Sequence, residues 1–350
     1  MTLFTSAPQS LCVLRLSAIG DVCNTVAAIQ AIQRTWPKTK ITWITGKLEA
    51  HLISDLPGIE VIVFDKKQGW KGYKTLWASL KGREFDALLH MQYALRASIA
   101  TLGIKAKYKL GFDATRSQDF QTWFTNVKVP SPVTPHVLDG LLAFGTCLGV
   151  KDMTPKWSIP YQKEDANWAN QVIDQQKKNV VIVPGASKAY KNWTAQGYAR
   201  VIEHAQRKGF HVILAGSPSP VETQLCAEVI AKLSSPVTNV VGQSSIKQML
   251  ALLDNADLVI APDTGPAHMA NAMGTAVIGL YAHHNPERTG PYNYRDYVVS
   301  AYEEAIAEEH HKPLEQLDWR TRVKDETAMQ RIKPQQVITM FNKVIGDLWR

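Results

Sequence analysis

No apolar run in this chain approaches the roughly 18 residues needed to span a bilayer, so a membrane-spanning helix is not predicted. Met1–Ser10 carries no positive charge ahead of its apolar stretch, which argues against a secretory signal peptide. The four cysteines (Cys12, Cys23, Cys147 and Cys226) are widely spaced and form no Cys-x-x-Cys pair. Reduced thiols in a cytoplasmic protein are the expectation. There is no repeat, no low-complexity stretch and no recognisable nucleic-acid module. No Asp-x-Asp pair is present, so no metal-bound diphosphate and no cofactor are expected. The His283-His284 and His310-His311 doublets are read as structural or surface residues rather than metal ligands, because neighbouring side chains on a helix or strand diverge.

What is present is an α/β pattern in 350 residues, enough for two domains. The composition is ordinary for a globular chain, with 45% hydrophobic and 20% charged residues. The net charge of +8 favours an anionic partner. Short apolar runs at Leu11–Leu16, Ile41–Thr45, Glu60–Phe64 and Ala87–Met91 are separated by segments of helical spacing. The pattern restarts at Val180–Pro184 and continues through His211–Leu214, Asn239–Val241, Leu258–Ala261 and Thr275–Leu280. Buried strands alternating with helices predict βαβ units and two parallel sheets facing a central cleft. Between the halves, Val127–Tyr161 holds five prolines, with a helix expected at roughly His136–Leu148 inside it, and reads as the interdomain connection.

Three segments carry chemistry. In Arg15-Leu-Ser-Ala-Ile-Gly-Asp-Val, a strand gives way to a small-residue turn and then a helix opening at Asp21. Asp21 suits a helix cap, and equally a carboxylate that takes a proton from an attacking hydroxyl. The turn is not Gly-x-Gly-x-x-Gly, which counts against a dinucleotide oxidoreductase. In Ala261-Pro-Asp-Thr-Gly-Pro-Ala-His-Met-Ala, a strand runs into Pro262-Asp263, and Thr264-Gly265-Pro266 start a helix that Gly274 stops. Its N-terminus is a ready site for a diphosphate, and His268 in the first turn can bond a phosphate or ribose. The third segment is Val183-Pro-Gly-Ala-Ser-Lys-Ala-Tyr-Lys-Asn-Trp.

Together, in this order, the three segments resemble glycosyltransferase family 9, the ADP-heptose heptosyltransferases of the lipopolysaccharide inner core. The resemblance covers nearly the whole chain. It implies a GT-B fold of two Rossmann-like domains, an ADP-heptose donor and inversion at the anomeric carbon. It also implies roles. Asp21 resembles the catalytic base, Lys191 the lysine that neutralises the diphosphate, and Asp263 the carboxylate that orients heptose hydroxyls. Thr264, Gly265 and His268 match the diphosphate turn, Ser187 a hydroxyl facing the same phosphates, and Glu222 falls in the helix that supplies a ribose contact. Pro184-Gly185 stands where the family more often has His-Ala. The domains are expected at 1–157, for the acceptor, and 158–333, for the ADP-sugar. The final helix, 334–350, is expected to pack back on the first domain.

On the acceptor side, Trp70, Tyr73, Trp77 and Leu80 share a helical face, with Lys66, Lys67, Lys71, Lys74, Lys81 and Arg83 around them. This reads either as a basic amphipathic segment that meets an anionic membrane or phosphorylated lipid, or as a helix packing its stripe inward with solvated lysines outside. Lys71, Lys74, Arg96 and Arg116 are the candidate acceptor contacts, and Lys105, Lys107 and Lys109 add charge nearby. The expected partners are ADP-heptose and a lipid A–Kdo or heptosylated acceptor, at the cytoplasmic face of the inner membrane, with no nucleic acid. Transfer to a protein hydroxyl and a non-catalytic nucleotide-sugar-binding protein are the alternatives.

Overall fold

The computed structural model describes residues 2–312 and 314–349; Met1 and Arg350, at the ends of the expected domains, and Pro313 lie outside the described residues. The chain divides into two compact units, Met1–Pro160 and Tyr161–Arg350.

The first unit runs β1 (Ser10–Leu14), α1 (Ile19–Thr35), β2 (Lys40–Thr45), α2 (Lys47–Ile53), β3 (Ile59–Val63), α3 (Trp70–Ser79), β4 (Phe85–His90), α4 (Leu95–Ala100), β5 (Ala106–Phe112), β6 (Val127–Val129) and α5 (Val137–Leu148). The second runs α6 (Lys163–Val172), β7 (Asn179–Ile182), α7 (Ala195–Arg207), β8 (His211–Leu214), α8 (Pro220–Ile230), β9 (Thr238–Asn239), α9 (Ile246–Asp254), β10 (Leu258–Pro262), α10 (Gly265–Met273), β11 (Val277–Tyr281), α11 (Pro286–Thr289), β12 (Val298–Ser300), α12 (Tyr302–His310) and α13 (Pro334–Leu348).

Among the described residues each unit has one six-stranded sheet, ordered β3-β2-β1-β4-β5-β6 and β12-β11-β10-β7-β8-β9, with every pairing parallel. Counted within each unit, both are the doubly wound order 3-2-1-4-5-6 of a Rossmann-like domain. The central strands β7, β10 and β11 are buried from end to end, and β1 is buried over Leu11–Leu14. Helices cover such sheets on both faces, so the strands are apolar runs rather than alternating ones. In this order the winding reverses beside the first strand, between β1 and β4 in one unit and between β7 and β10 in the other. Ligands bind at the carboxyl ends of those strands.

Three sequence expectations are corrected. Strands β5, β6 and β12 went unread, because β5 is half exposed over Ala106–Lys109 and the other two are three-residue edge strands. The segment 127–161 holds the expected helix, α5, which packs along α1, but it also contains the unexpected strand β6. Helix α13 lies on the second unit, against α7, β11 and β12. Its apolar stripe, Val337, Phe341 and Val344, is fully buried in that unit's own core, with Phe341 edge-on to Phe210 at 5.2 Å.

Candidate functional site

In the second unit, three strand ends converge on one carboxylate. Asp263 follows β10 directly. Lys191 arrives on the 3-10 turn Ala189–Lys191 after β7, a loop tied down where Ala186 N–H donates to Asn192 Oδ1 at 2.7 Å. The loop ends at buried Trp193, whose indole donates to the Ile332 carbonyl at 2.9 Å. Lys191 Nζ donates to Asp263 Oδ2 at 2.8 Å. His284, just past β11, donates from Nδ1 to the same oxygen at 2.5 Å. His268, on the first turn of α10, has Nε2 3.7 Å from Oδ1. Burial by itself would raise the Asp263 carboxyl; the facing His268 and His284 rings and the Lys191 charge outweigh it and hold it well below the usual carboxylate range. Burial also lowers His284, against the pull of Asp263, so it stands neutral beside the anion.

Helix α10 begins beside this cluster. Thr264 is its N-cap by backbone geometry, but its hydroxyl caps nothing, and Pro266 sits in the first turn. In the first turn Pro266 has no N–H and the Ala267 N–H donates to the Thr264 carbonyl at 3.2 Å, which leaves the Gly265 N–H without a partner among the described residues, at the positive end of the helix dipole. Gly274 stops the helix in the left-handed conformation, φ +85°. Ser187 is exposed in the loop after β7. Glu222 is buried and committed locally, accepting the Ser217 N–H at 2.8 Å and hydroxyl at 2.5 Å. A Cβ on Gly185 would come within 2.4 Å of the Glu222 side chain and 3.1 Å of its Cα. A glycine there lets α8 approach β7.

The first unit places Asp21 in the first turn of α1, after β1. Buried Arg15 holds it, with guanidinium to Asp21 Oδ2 at 2.5 Å, and also donates to the Met91 carbonyl at the end of β4. Asp21 Oδ2 accepts the Ala18 N–H at 3.3 Å as well, so the carboxylate does cap its helix. All these bonds use one oxygen. Oδ1 has no partner among the described residues, and the side chain is 36% exposed.

Of the acceptor candidates, Lys71 and Lys74 are exposed on α3 and Arg96 on α4. Arg116 is a correction: its side chain is buried, donating to the Thr134 and His136 carbonyls at 2.5 and 3.2 Å at the start of α5. It braces its own domain and presents no free charge to an acceptor. The reading of α3 as an inward-packed helix holds for Tyr73 and Trp77, which donate to the Arg96 and Ala100 carbonyls of α4.

Sequence reasoning set His284 aside as half of a structural doublet. Its neighbour His283 is indeed structural, with Nδ1 3.1 Å from the Val323 carbonyl. The signal for His284 was its place just beyond a central strand, next to β10.

The family model of glycosyltransferase family 9 (heptosyltransferase) matches residues 73–317. The lipopolysaccharide core heptosyltransferase OpsX of Haemophilus influenzae is 47% identical over 344 residues, covering 98% of this chain and 99% of that protein. Among solved structures, a family 9 glycosyltransferase from Veillonella parvula DSM 2008 shares the fold with a TM-score of 0.80 at 20% identity, covering 99% of both chains. The E. coli heptosyltransferase WaaC with ADP follows at TM-score 0.73 and 16% identity, covering 95% of this chain and 99% of that one.

Proposed function

Because the chain belongs to glycosyltransferase family 9, the heptosyltransferases, we propose that it moves a heptose from ADP-heptose to the lipopolysaccharide inner core, with inversion at the anomeric carbon. It is a glycosyltransferase of GT-B fold. The observation that carries the donor reading is the buried Lys191–Asp263–His284 cluster at the N-terminus of α10.

When the anomeric carbon–phosphate oxygen bond breaks, the electron pair leaves with ADP. Lys191 and the Gly265 N–H at the start of α10, with Thr264 Oγ1, stand where that charge grows, and each well-placed donor is worth on the order of 3–4 kcal/mol. Asp263, held ionised, accepts from heptose hydroxyls. His268 and His284 keep it in place, and Ser187 and Glu222 border the nucleotide side. In the first unit, Asp21 Oδ1 takes the proton of the acceptor hydroxyl as its oxygen bonds to the anomeric carbon. The Arg15 pair holds Asp21 in place and leaves Oδ1 to face the acceptor.

These protein cations serve the leaving group without a metal or cofactor, so turnover is expected to survive exhaustive EDTA; loss restored by one divalent ion would overturn this. The acceptor is a Kdo or heptose of the inner core, met through Lys71, Lys74 and Arg96. The enzyme works against the anionic cytoplasmic face of the inner membrane. Among the described residues no helix is long and apolar enough to cross a membrane. Transfer to a protein hydroxyl and donor binding without turnover are the competing readings; near-full-length similarity to a core heptosyltransferase favours the lipopolysaccharide acceptor. The test is incubation with ADP-heptose and defined inner-core acceptors, following ADP release and the acceptor's gain of one heptose by mass. No transfer to any inner-core acceptor would sink it.

A further inference from the structure

Large apolar side chains rarely stand in water in a contiguous set unless something covers them. In the first unit, Phe120 and Trp123 do so on the 3-10 turn after β5, with 60% and 79% of their surface exposed. Their rings lie against each other at 4.8 Å. The turn is entered through two consecutive non-glycine residues in the left-handed region, Asp119 at φ +49° and Phe120 at φ +60°. For a bulky residue such as Phe120 that backbone is unfavourable, and it persists only where its surroundings impose it.

What imposes it is a set of buried bonds. Between Phe120 and Trp123 in sequence lies Gln121, fully buried. Its amide donates to the His90 and Gln92 carbonyls at 2.8 and 3.3 Å and accepts the Phe112 N–H at 3.2 Å. Gln92 in turn accepts the Leu16 N–H at 2.7 Å, two residues past β1. The aromatic pair is therefore bolted to the same strand ends that carry Arg15 and Asp21.

The apolar surface continues from there. Asp119 accepts the N–H of Leu95, itself 44% exposed, at 3.3 Å. Helix α4 and the 3-10 turn Thr101–Gly103 after it lead from Leu95 to Leu102, 63% exposed, and Gly103 abuts Trp77, whose ring is 5.6 Å from that of 58%-exposed Trp70. Flanking it, residues 66–81 hold five lysines and no acid. Aromatic rings among lysines match an anionic bilayer interface: rings settle at headgroup depth, and nearby cations meet the anionic headgroups.

We propose that the Phe120–Trp123 turn is an interfacial anchor that inserts into an anionic phospholipid surface, with the α3 lysines on the headgroups. The proposal rests on the acceptor reading above and adds to it the residues that enter the membrane. Its effect is positional, holding the Asp21 end of the first sheet at the depth where a lipid-borne acceptor presents its sugars.

The test uses the full chain and sedimentation with vesicles of phosphatidylcholine alone or mixed with phosphatidylglycerol, without donor. The wild type is expected to partition to the mixed vesicles. F120S/W123S should bind at least about tenfold more weakly, since both rings that enter the headgroup region are lost. Its melting temperature and its transfer to a water-soluble acceptor fragment should be unchanged. If that variant folds poorly, quenching of tryptophan emission by brominated lipid replaces it, and W123F should lose a large part of the quenching. Equal partitioning of variant and wild type, or a wild type that ignores the mixed vesicles, overturns the anchor. So does a wild-type dimer that the variant converts to monomer, since a second copy would then cover the patch. Failure of transfer to every inner-core acceptor would strike the proposed reaction and leave the vesicle result standing.

Discussion

The two units share one strand order and put their chemistry at the same place in it, yet their sites are built differently. In the second, Asp263 is enclosed and compensated by a lysine and two histidines. In the first, Asp21 is tied by one oxygen and open at the other, on a unit whose surface is aromatic and basic. The difference follows the ligands proposed for them. A nucleotide diphosphate is small and strongly charged, so a dry, preorganised pocket serves it. A lipid-borne oligosaccharide needs one positioned oxygen and a broad landing surface.

The comparison breaks most sharply at Asp21. Asp21→Ala is expected to cut turnover by roughly 10²–10⁴, the usual share of a general base, with ADP affinity by calorimetry unchanged. A parallel loss of ADP binding would show that the halves are not independent.

Lys191→Ala comes next, with a rate loss of about 10²–10³ and, unlike Asp21→Ala, weaker ADP binding. If both stay within about twofold, which is only ~0.4 kcal/mol, Lys191 serves Asp263 alone.

Acid should separate the units by stability. His90, buried in the first unit with Nε2 3.0 Å from Ser98 Oγ, is lowered to about 3 by burial and then by the Arg15 and Lys109 charges. An unfolded histidine takes up its proton near pH 6.5, whereas folded His90 stays neutral. This contribution is therefore complete above about pH 6.5 and is lost at roughly 1.4 kcal/mol per pH unit as pH falls toward the folded value. His284 and His211, both lowered, act with the same sign in the second unit. His90→Gln should flatten only the first unit's slope in urea midpoints measured from neutral pH downward; an unaltered slope would refute the assignment.

The smallest effect is expected from replacing Lys71, Lys74 and Lys81 with Gln. The acceptor KM should rise a few-fold at low salt, with no change in donor affinity. The difference should fade at high salt, because exposed charges are screened within about 8–10 Å at physiological ionic strength. Identical KM values at every salt concentration would leave these lysines as solvated surface.

Much of this was legible in the chain. The central strands announce themselves as apolar runs because they are covered on both faces. The turns at Asp21 and at Asp263–His268 show because a strand end, a cap, a proline and a glycine leave local signatures. Edge strands such as Val127–Val129 and Val298–Ser300 do not, because they are short and half exposed. The last helix showed its stripe but not which core it would fill.

The sequence by itself determined the alternating α/β pattern, the family and the residues that punctuate the strand ends, all properties of local spacing. Only the tertiary structure decided the partnerships: Lys191 and His284 on one Asp263 oxygen, Arg15 on Asp21, Arg116 spent on the start of α5, and Gln121 holding two aromatic rings in water. Those pairings join residues 6 to 72 positions apart. Whether a charge is free, neutralised or buried depends on which strand ends the sheet order brings together, and no local spacing encodes that.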